Sequence, residues 1–445
     1  MANTYLTKTY SGSGNRQKQT MSMWIKRSKL GTNTVLFSVH YTGTYYGYLR
    51  FKTDDTLQFY NNSPNYNVRT NAQFKDTNAW YHIVCTIDTT DATSDDRIKL
   101  YVNGVRQSLQ TNTQPSQNAE VTFGDNYRHD VGGYQSGSYF DGSMSHFHFI
   151  TNTAYQASTF GSTDSTTGEW KINTNPSVTY ATNSFFILKD GNSGTDQSGQ
   201  SNNYSVGGGT LTQTVDNPSN SFATLNTVVK HRGSVTLSKG NTVIVGPSAS
   251  WDLGISTLVA SKGKYYFEVK ITDSDGTKFS VGAVDVDRNN TFVNGKDTYS
   301  YYGFRGMGYY GGGKVIGHNG SSDNTDLITG LGTFSVNDII GCAIDLDNNK
   351  MYFHENGTYI QNGGYTQNPS TNSYGIDFSN NRTGTNLVGM GVSCRDNKEA
   401  QVNFGNGFFS TTQISSEGTN ASGIGKFEYD CPTNFTALST KGLNL

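Results

Sequence analysis

The chain has 445 residues, of which 33 % are apolar and 15 % charged, with a formal net charge of −2. That length exceeds what one ordinary core organises and is enough for two domains with a connector. A balance of 33 basic against 35 acidic residues carries no polyelectrolyte signature, so a nucleic-acid partner is not expected, and 13 % aromatic residues at near-zero charge argue against disorder.

What remains is a folded all-β chain. Its 28 Tyr, 24 Phe and 51 Gly, with abundant Asn, Ser and Thr, suit many short strands joined by polar turns. The start, MANTYLTKTY, has no apolar core of signal-peptide length, and no stretch approaches the ~20 apolar residues of a membrane span. The expectation is a soluble polypeptide made in a cytoplasm, with no membrane insertion. Cys85, Cys342, Cys394 and Cys431 are widely spaced and form no CxxC pair, so buried free thiols are expected rather than disulfides or metal ligands.

In chain order, Met21, Met23 and Ile25 alternate with Ser22, Trp24 and Lys26, and TVLFSVH, YYGYLRF and TLQFY follow at hairpin distances. WYHIVCTID places Tyr81, Ile83, Cys85 and Ile87 on one apolar face and Trp80, His82, Val84 and Thr86 on a mixed one. After a loop holding Asp88, Asp91, Asp95 and Asp96, Ile98, Leu100 and Val102 alternate inward, and Asn103-Gly104 supplies the positive φ angles of a tight hairpin. GSMSHFHFI puts Met144, His146 and His148 on one face and Phe147 and Phe149 on the other. Phe185 to Leu188 reads as the last strand of this sandwich. Residues 1–190 form the first domain, 191–226 a Gly/Ser/Asn-rich connector, 227–410 a second strand-rich block and 411–445 a tail. In the second block Ile340, Cys342, Ile344 and Leu346 alternate, and Asp347-Asn348-Asn349 and Asn356-Gly357 turn the chain.

MSMWIKRS, WYHIVCTID, IKLYVNGV and FDGSMSHFHF occur in that order, and the run resembles the laminin-G-like and pentraxin-like concanavalin sandwich. Gly263 to Val269, Val281-Gly282, Gly341 to Gly357 and Val402 to Gly405 resemble the motif order of the SPRY domain. These resemblances imply two tandem antiparallel β-sandwiches. With the ending FEYDCPTNFTALST, the combination is similar to virion proteins of tailed bacteriophages of the marine type. That resemblance implies a structural and adhesive protein, fibre-like or on the head surface, exposed on the virion. Its partners would be further copies of itself, other virion proteins and a host-surface polysaccharide. A free lectin-like protein is the alternative, and a polysaccharide hydrolase ranks below it.

Glycoside hydrolysis needs two carboxylates about 5 to 10 Å apart. No Glu lies two positions from another acidic residue on an expected strand, and Asp345 and Asp347 flank a turn, so an enzyme is not expected. His146 and His148 could begin a metal site but show no further ligand nearby, and a half-exposed strand face is the simpler reading. The Asp88 to Asp96 loop could take Ca²⁺, as related sandwiches do at one rim, but it lacks EF-hand spacing and a solvated acidic loop explains it. No cofactor is therefore expected. Tyrosines clustered beside Gly and Asn are the candidate ligand-binding residues: Tyr45, Tyr46, Tyr301, Tyr302, Tyr309 and Tyr310. Such rings supply flat amphipathic area at low rotamer cost and stack on sugars.

Overall fold

Period-2 apolar rows on paired strands dictate the architecture. Ile83, Cys85 and Ile87 face the same way as Ile98, Leu100 and Val102 on the neighbouring strand, and all six are buried. The computed structural model describes residues 3–135, 137–189, 193–230, 235–286, 306–319, 325–382 and 386–445. Among these residues there are strands and short 3-10 turns and no α-helix, so no helix is long and apolar enough to cross a membrane. The chain divides into two compact units, Met1–Ser219 and Asn220–Leu445.

The first unit stacks two antiparallel sheets. Among the described residues, an eight-stranded sheet runs Leu109–Thr113, Tyr66–Gln73, Thr56–Asn61, Tyr46–Phe51, Thr34–His40, Arg128–Val131, Tyr5–Thr9, Ser205–Gly208. A six-stranded sheet runs Phe185–Ile187, Gly142–Thr151, Lys18–Arg27, Trp80–Asp88, Ile98–Val102, Val105–Arg106. Phe37 of the larger sheet packs against Phe147, Phe149 and Phe185 of the smaller one, with ring centroids 5.1 to 5.8 Å apart. Each such pair contributes about 0.5–1.5 kcal/mol beyond area burial, so these rings tie the layers together.

In the second unit, among the described residues, a seven-stranded sheet orders Leu225–Lys230, Asp252–Ser256, Val388–Cys394, Phe279–Asp285, Gly306–Tyr310, Lys314–Gly317, Thr325–Ile328. The facing sheet orders Thr236–Ser238, Val243–Val245, Glu399–Asn403, Lys264–Ile271, Ile339–Asp345, Lys350–Glu355, Thr358–Tyr359. Ile340, Cys342, Ile344 and Leu346 enter its core as their alternation requires. Asp345 turns the hairpin that follows by accepting from the backbone N–H of Asp347 (3.1 Å) and Asn348 (2.9 Å). All four cysteines are free and buried.

Four expectations are corrected. Register shifts between Ser145 and His148 against the strand Lys18–Arg27, with His146 at φ 48°, and this bulge changes the side-chain parity. Met144 therefore packs on the same core as Phe147 and Phe149, while His146 and His148 are both 2 % exposed rather than on a half-exposed face. The strand Phe185–Ile187 is not the last of its sandwich, because Ser205–Gly208 pairs with Tyr5–Thr9. Much of the expected connector is packed: Tyr204 lies in the core and Asp216 forms an ion pair with buried Lys26 (3.2 Å). Residues 411–445, expected as a tail, pack onto the second unit. Phe427, Phe435, Ala437 and Leu438 are buried, and Thr436–Ala437 pairs in parallel with Lys264–Ile271.

The six-stranded sheet is also covered on its outer face. The hairpin Gly161–Thr163/Trp170–Ile172 places Trp170 over His82, with centroids 6.0 Å apart, and His82 stacks in turn on Trp24 at 4.9 Å. Trp170 Nε1–H donates to His82 Nδ1 (3.0 Å), so neutral His82 carries its proton on Nε2 and donates to Ser22 Oγ (2.9 Å). Burial holds His82 down at about 3, and the ring stays uncharged. Beside it, Val84, Ile150, Ala157 and Phe160 form a second small core. Gly104, at φ 79° in the Asn103-Gly104 turn, leaves room for Trp170, since a Cβ there would overlap the indole ring. Gly104→Ala should therefore destabilise the protein by roughly 1–3 kcal/mol from backbone strain alone, and more from displacing Trp170. Chemical denaturation followed by tryptophan fluorescence checks this; an unchanged midpoint would contradict it.

Candidate functional site

The strand Tyr46–Phe51 alternates strictly: Gly47, Leu49 and Phe51 are buried, while Tyr46, Tyr48 and Arg50 point outward. Antiparallel register then adds rings from neighbouring strands, setting Tyr60 opposite Tyr48 and His40 opposite Tyr46. The loop after Arg128–Val131 lays Tyr134 across them, held by Ser38 Oγ–H donating to the Gly133 carbonyl (2.7 Å). The result is a platform of four half-buried tyrosines. Tyr48 and Tyr60 stack at 5.2 Å and 22°, and Tyr46 lies 6.1 Å from Tyr48 and 6.0 Å from Tyr60. Tyr134 stands 5.8 Å from each of Tyr46, Tyr48 and His40, edge-on to Tyr48 and His40.

Polar groups border these faces. The Arg50 guanidinium lies 4.2 Å from the centre of Tyr48, and its Nε–H donates to Gln58 Oε1 (2.8 Å). On the other side Arg128 pairs with Asp130 (2.8 Å). Burial raises the Tyr48 phenol and, with help from Tyr46 and Tyr48, takes Tyr134 up to about 12. Burial, then the nearby Arg128 charge, lowers His40. The platform thus offers ring faces and hydroxyls beside the Arg50 guanidinium. A further pair extends it: Tyr41 and Tyr127 stack at 4.4 Å and 15°, with Tyr41 59 % exposed.

Of the sequence-predicted residues, Tyr46 belongs to the platform and Tyr45 is exposed beside it. Tyr301 and Tyr302 lie outside the described residues. Tyr309 is a correction: it is 1 % exposed and packs on Phe334 at 4.7 Å and Phe353 at 5.8 Å, because its position on Gly306–Tyr310 faces the core. Tyr310 takes the opposite face and sits edge-on to Trp251 at 6.1 Å. The sequence reading missed Tyr60 and Tyr134, whose place depends on register rather than on local pattern.

The acidic loop spends its carboxylates internally. Asp88 accepts from Thr90, Asp91 from Thr93 N–H, Asp95 from Asn112, and Asp96 takes Arg106 (2.6 Å). Among the described residues, no group of three or more His, Cys, Asp or Glu side chains is placed to hold a metal ion. His148 Nδ1 meets the Tyr180 hydroxyl (2.7 Å), and its ring stacks on Phe186 at 3.9 Å.

The second unit contains a buried polar chain. Gly357 N–H donates to His354 Nδ1 (3.1 Å), which fixes the proton of neutral His354 on Nε2. His354 Nε2–H then donates to Tyr266 Oη (2.6 Å), and Tyr266 donates to Glu268 Oε1 (3.0 Å). Glu268 also accepts from the backbone N–H of Glu428 (2.9 Å) and Tyr429 (2.8 Å), binding the C-terminal segment to the sheet. Tyr266, Glu268 and His354 are at most 1 % exposed, so the chain is a structural clamp.

Residues 2–158 match the profile described as the Concanavalin A-like lectin/glucanases superfamily, and residues 264–407 match that of the SPRY domain. The chain is thus all-β, with a concanavalin-like domain followed by a SPRY domain. Among curated proteins, none matches its sequence. Similar solved structures include the SPRY domain of human HERC1, at 12 % identity, covering 38 % of this chain and 91 % of that one, with a TM-score of 0.26. Another is domain 4 of AbnA, a GH43 extracellular arabinanase from Geobacillus stearothermophilus, in complex with arabinotriose: 21 % identity, 32 % and 64 % coverage, TM-score 0.26. A third is the heptameric SAP-like pentraxin of Limulus polyphemus, at 15 % identity, 35 % and 72 % coverage and TM-score 0.27.

Burial outweighs the hydrogen bonds to Glu268 and raises its carboxyl to about 7 from the ordinary 4.5. The folded state therefore holds this proton more tightly than the unfolded chain does. Its contribution is full below about pH 4.5 and is lost as the pH rises through about 7, a change on the order of 3 kcal/mol. The melting temperature of the wild type should fall relative to Glu268→Gln across that window. A difference that stays constant with pH would contradict the assignment.

Proposed function

We propose that this chain is a non-enzymatic binding protein whose first sandwich holds saccharides on the Tyr46, Tyr48, Tyr60 and Tyr134 platform. The single observation that carries the reading is the gathering of four half-buried tyrosine rings from two strands and a loop onto one sheet face, beside a guanidinium. Ring faces stack on the C–H surface of a sugar, while phenols, Gln58 and Arg50 supply hydrogen bonds at its edge. The match of residues 2–158 to a superfamily of lectins and glucanases supports a carbohydrate ligand. Binding without turnover is the proposed activity, with no cofactor.

The proposed setting rests on the resemblance of the two-domain order and its ending to phage virion proteins. There the chain is a surface component of the particle, self-associating, attached to other virion proteins and directed at a host-surface polysaccharide. Many copies on one particle would convert weak single contacts into firm attachment, since later contacts are intramolecular.

The test is a titration of purified protein against soluble bacterial surface polysaccharides. Tyr48→Ala and Tyr60→Ala should each weaken binding about tenfold with little change in melting temperature, and no reducing ends should accumulate. Undiminished binding in the double variant would refute the platform, and release of oligosaccharides would refute the non-enzymatic reading.

A further inference from the structure

The second unit exposes an aromatic feature of its own. Tyr365 and Tyr374 are 60 % and 48 % exposed, and their rings stack at 4.7 Å and 11°. Each ring spends one face on its neighbour and leaves the rest to solvent. Large exposed rings are costly to display without a use, and these two are held firmly.

The loop that carries them is built from short-range pairing. Gln361–Asn362 pairs with Tyr365–Thr366, turned by Gly363 at φ 61° and Gly364 at φ 84°, the geometry of a two-residue hairpin. Asn368 and Ser373 exchange both backbone hydrogen bonds at 2.9 Å, enclosing the turn Pro369–Thr371. The Tyr352 hydroxyl donates to Asn372 Oδ1 (2.7 Å), and Gln367 N–H donates to the Ile360 carbonyl (3.0 Å), fastening the loop to its sheet. Tyr374 itself sits at φ 58°, a region disfavoured for a bulky residue, and Asn362 Nδ2–H donates to its carbonyl (3.2 Å). A strained aromatic residue in a loop fastened by several independent bonds is pre-positioned, which lowers the ordering cost of binding.

Chemistry narrows the occupant. From Gly357 through Ile376 the sequence contains no Asp, Glu, Lys, Arg or His, while Gln, Asn, Ser and Thr are frequent. Such a loop has nothing to neutralise a phosphate or an acidic peptide, and it offers amide and hydroxyl partners with a flat aromatic surface. We infer that the Tyr365–Tyr374 pair is a second binding site, in the SPRY unit, for an uncharged saccharide ring. The two sites make the protein able to hold a glycan at two points, and this one does not require the platform of the first unit.

The experiment uses the full chain carrying Tyr48→Ala and Tyr60→Ala, so that binding at the first unit is removed. Neutral oligosaccharide fragments of glucan, mannan, galactan, xylan and arabinan are titrated by calorimetry. Residual binding to at least one fragment is expected. Adding Tyr365→Ala or Tyr374→Ala should weaken it about tenfold, and Tyr365→Phe, which keeps the ring, should preserve it. A melting temperature unchanged in both Ala variants confirms that the fold survives. Absence of residual binding to any neutral fragment, residual binding unaffected by the Ala variants, or preference for a proline-rich peptide over every sugar would each overturn the inference. Failure of the first-unit variants to weaken binding would count against the platform instead, leaving the Tyr365 and Tyr374 variants to decide this site.

Discussion

The stack of Trp24, His82 and Trp170 decides how the first unit meets its surroundings. A sheet in a sandwich ordinarily turns one face to the core and one to water. Here the outer face of the six-stranded sheet carries His82, Val84, His148 and Ile150, all buried, and needs a cover. Trp170 supplies it, stacked on His82 and donating a hydrogen bond to it, and Phe160, Tyr155 and Tyr180 extend the cover over Val84 and Ile150. Aromatic stacks and a satisfied imidazole make this layer specific as well as apolar, because an unpaired buried ring nitrogen would cost about 1–3 kcal/mol. With that face enclosed, the outward side of the eight-stranded sheet is where rings such as Tyr46 and Tyr48 remain accessible.

The second unit solves a comparable problem with a carboxylate. Glu268 stands on a central strand, at a position that the alternation turns away from the apolar core containing Phe267 and Val269. Left alone it would be an expensive buried acid. Four donors gather on it, two of them backbone groups of the C-terminal segment, so the cost of burying the acid is partly offset by hydrogen bonds that also fix that segment. A buried polar network specifies one arrangement over its competitors, since any shift of the segment leaves donors and acceptor unpaired. Gly341 takes part by absence, because a side chain there would occupy the space of the His354 ring.

Local pattern made the cores legible. Ile83, Cys85 and Ile87, or Ile340, Cys342 and Ile344, alternate without interruption, and Asn103-Gly104 and Asn356-Gly357 turn where their positive φ angles allow. Legibility stopped where structure depends on distant partners. The bulge near His146 is set by pairing with Lys18–Arg27, and nothing in HFHF announces it. Adjacent Tyr309 and Tyr310 look alike in sequence, yet one parity step makes the first a core residue. Tyr46 and Tyr48 could be paired by eye, but Tyr60 and Tyr134 join them only through cross-strand register and a loop. The Gly/Ser/Asn-rich stretch around Tyr204 reads as a linker by composition. It is ordered because the Tyr204 ring packs into the core and its hydroxyl meets that of Tyr10 (3.2 Å).

In each unit the early and late strands are neighbours. Leu6 lies opposite Val206 in the first, while Phe222 bridges Ser439 in the second, with Ala223 N–H donating to the Leu438 carbonyl (2.9 Å). Each sandwich therefore receives and releases its polypeptide at adjacent points, the arrangement that lets a domain be transplanted into a foreign loop or recut by circular permutation without pulling its strands apart. Either half is thus suited to exchange as a self-contained cassette.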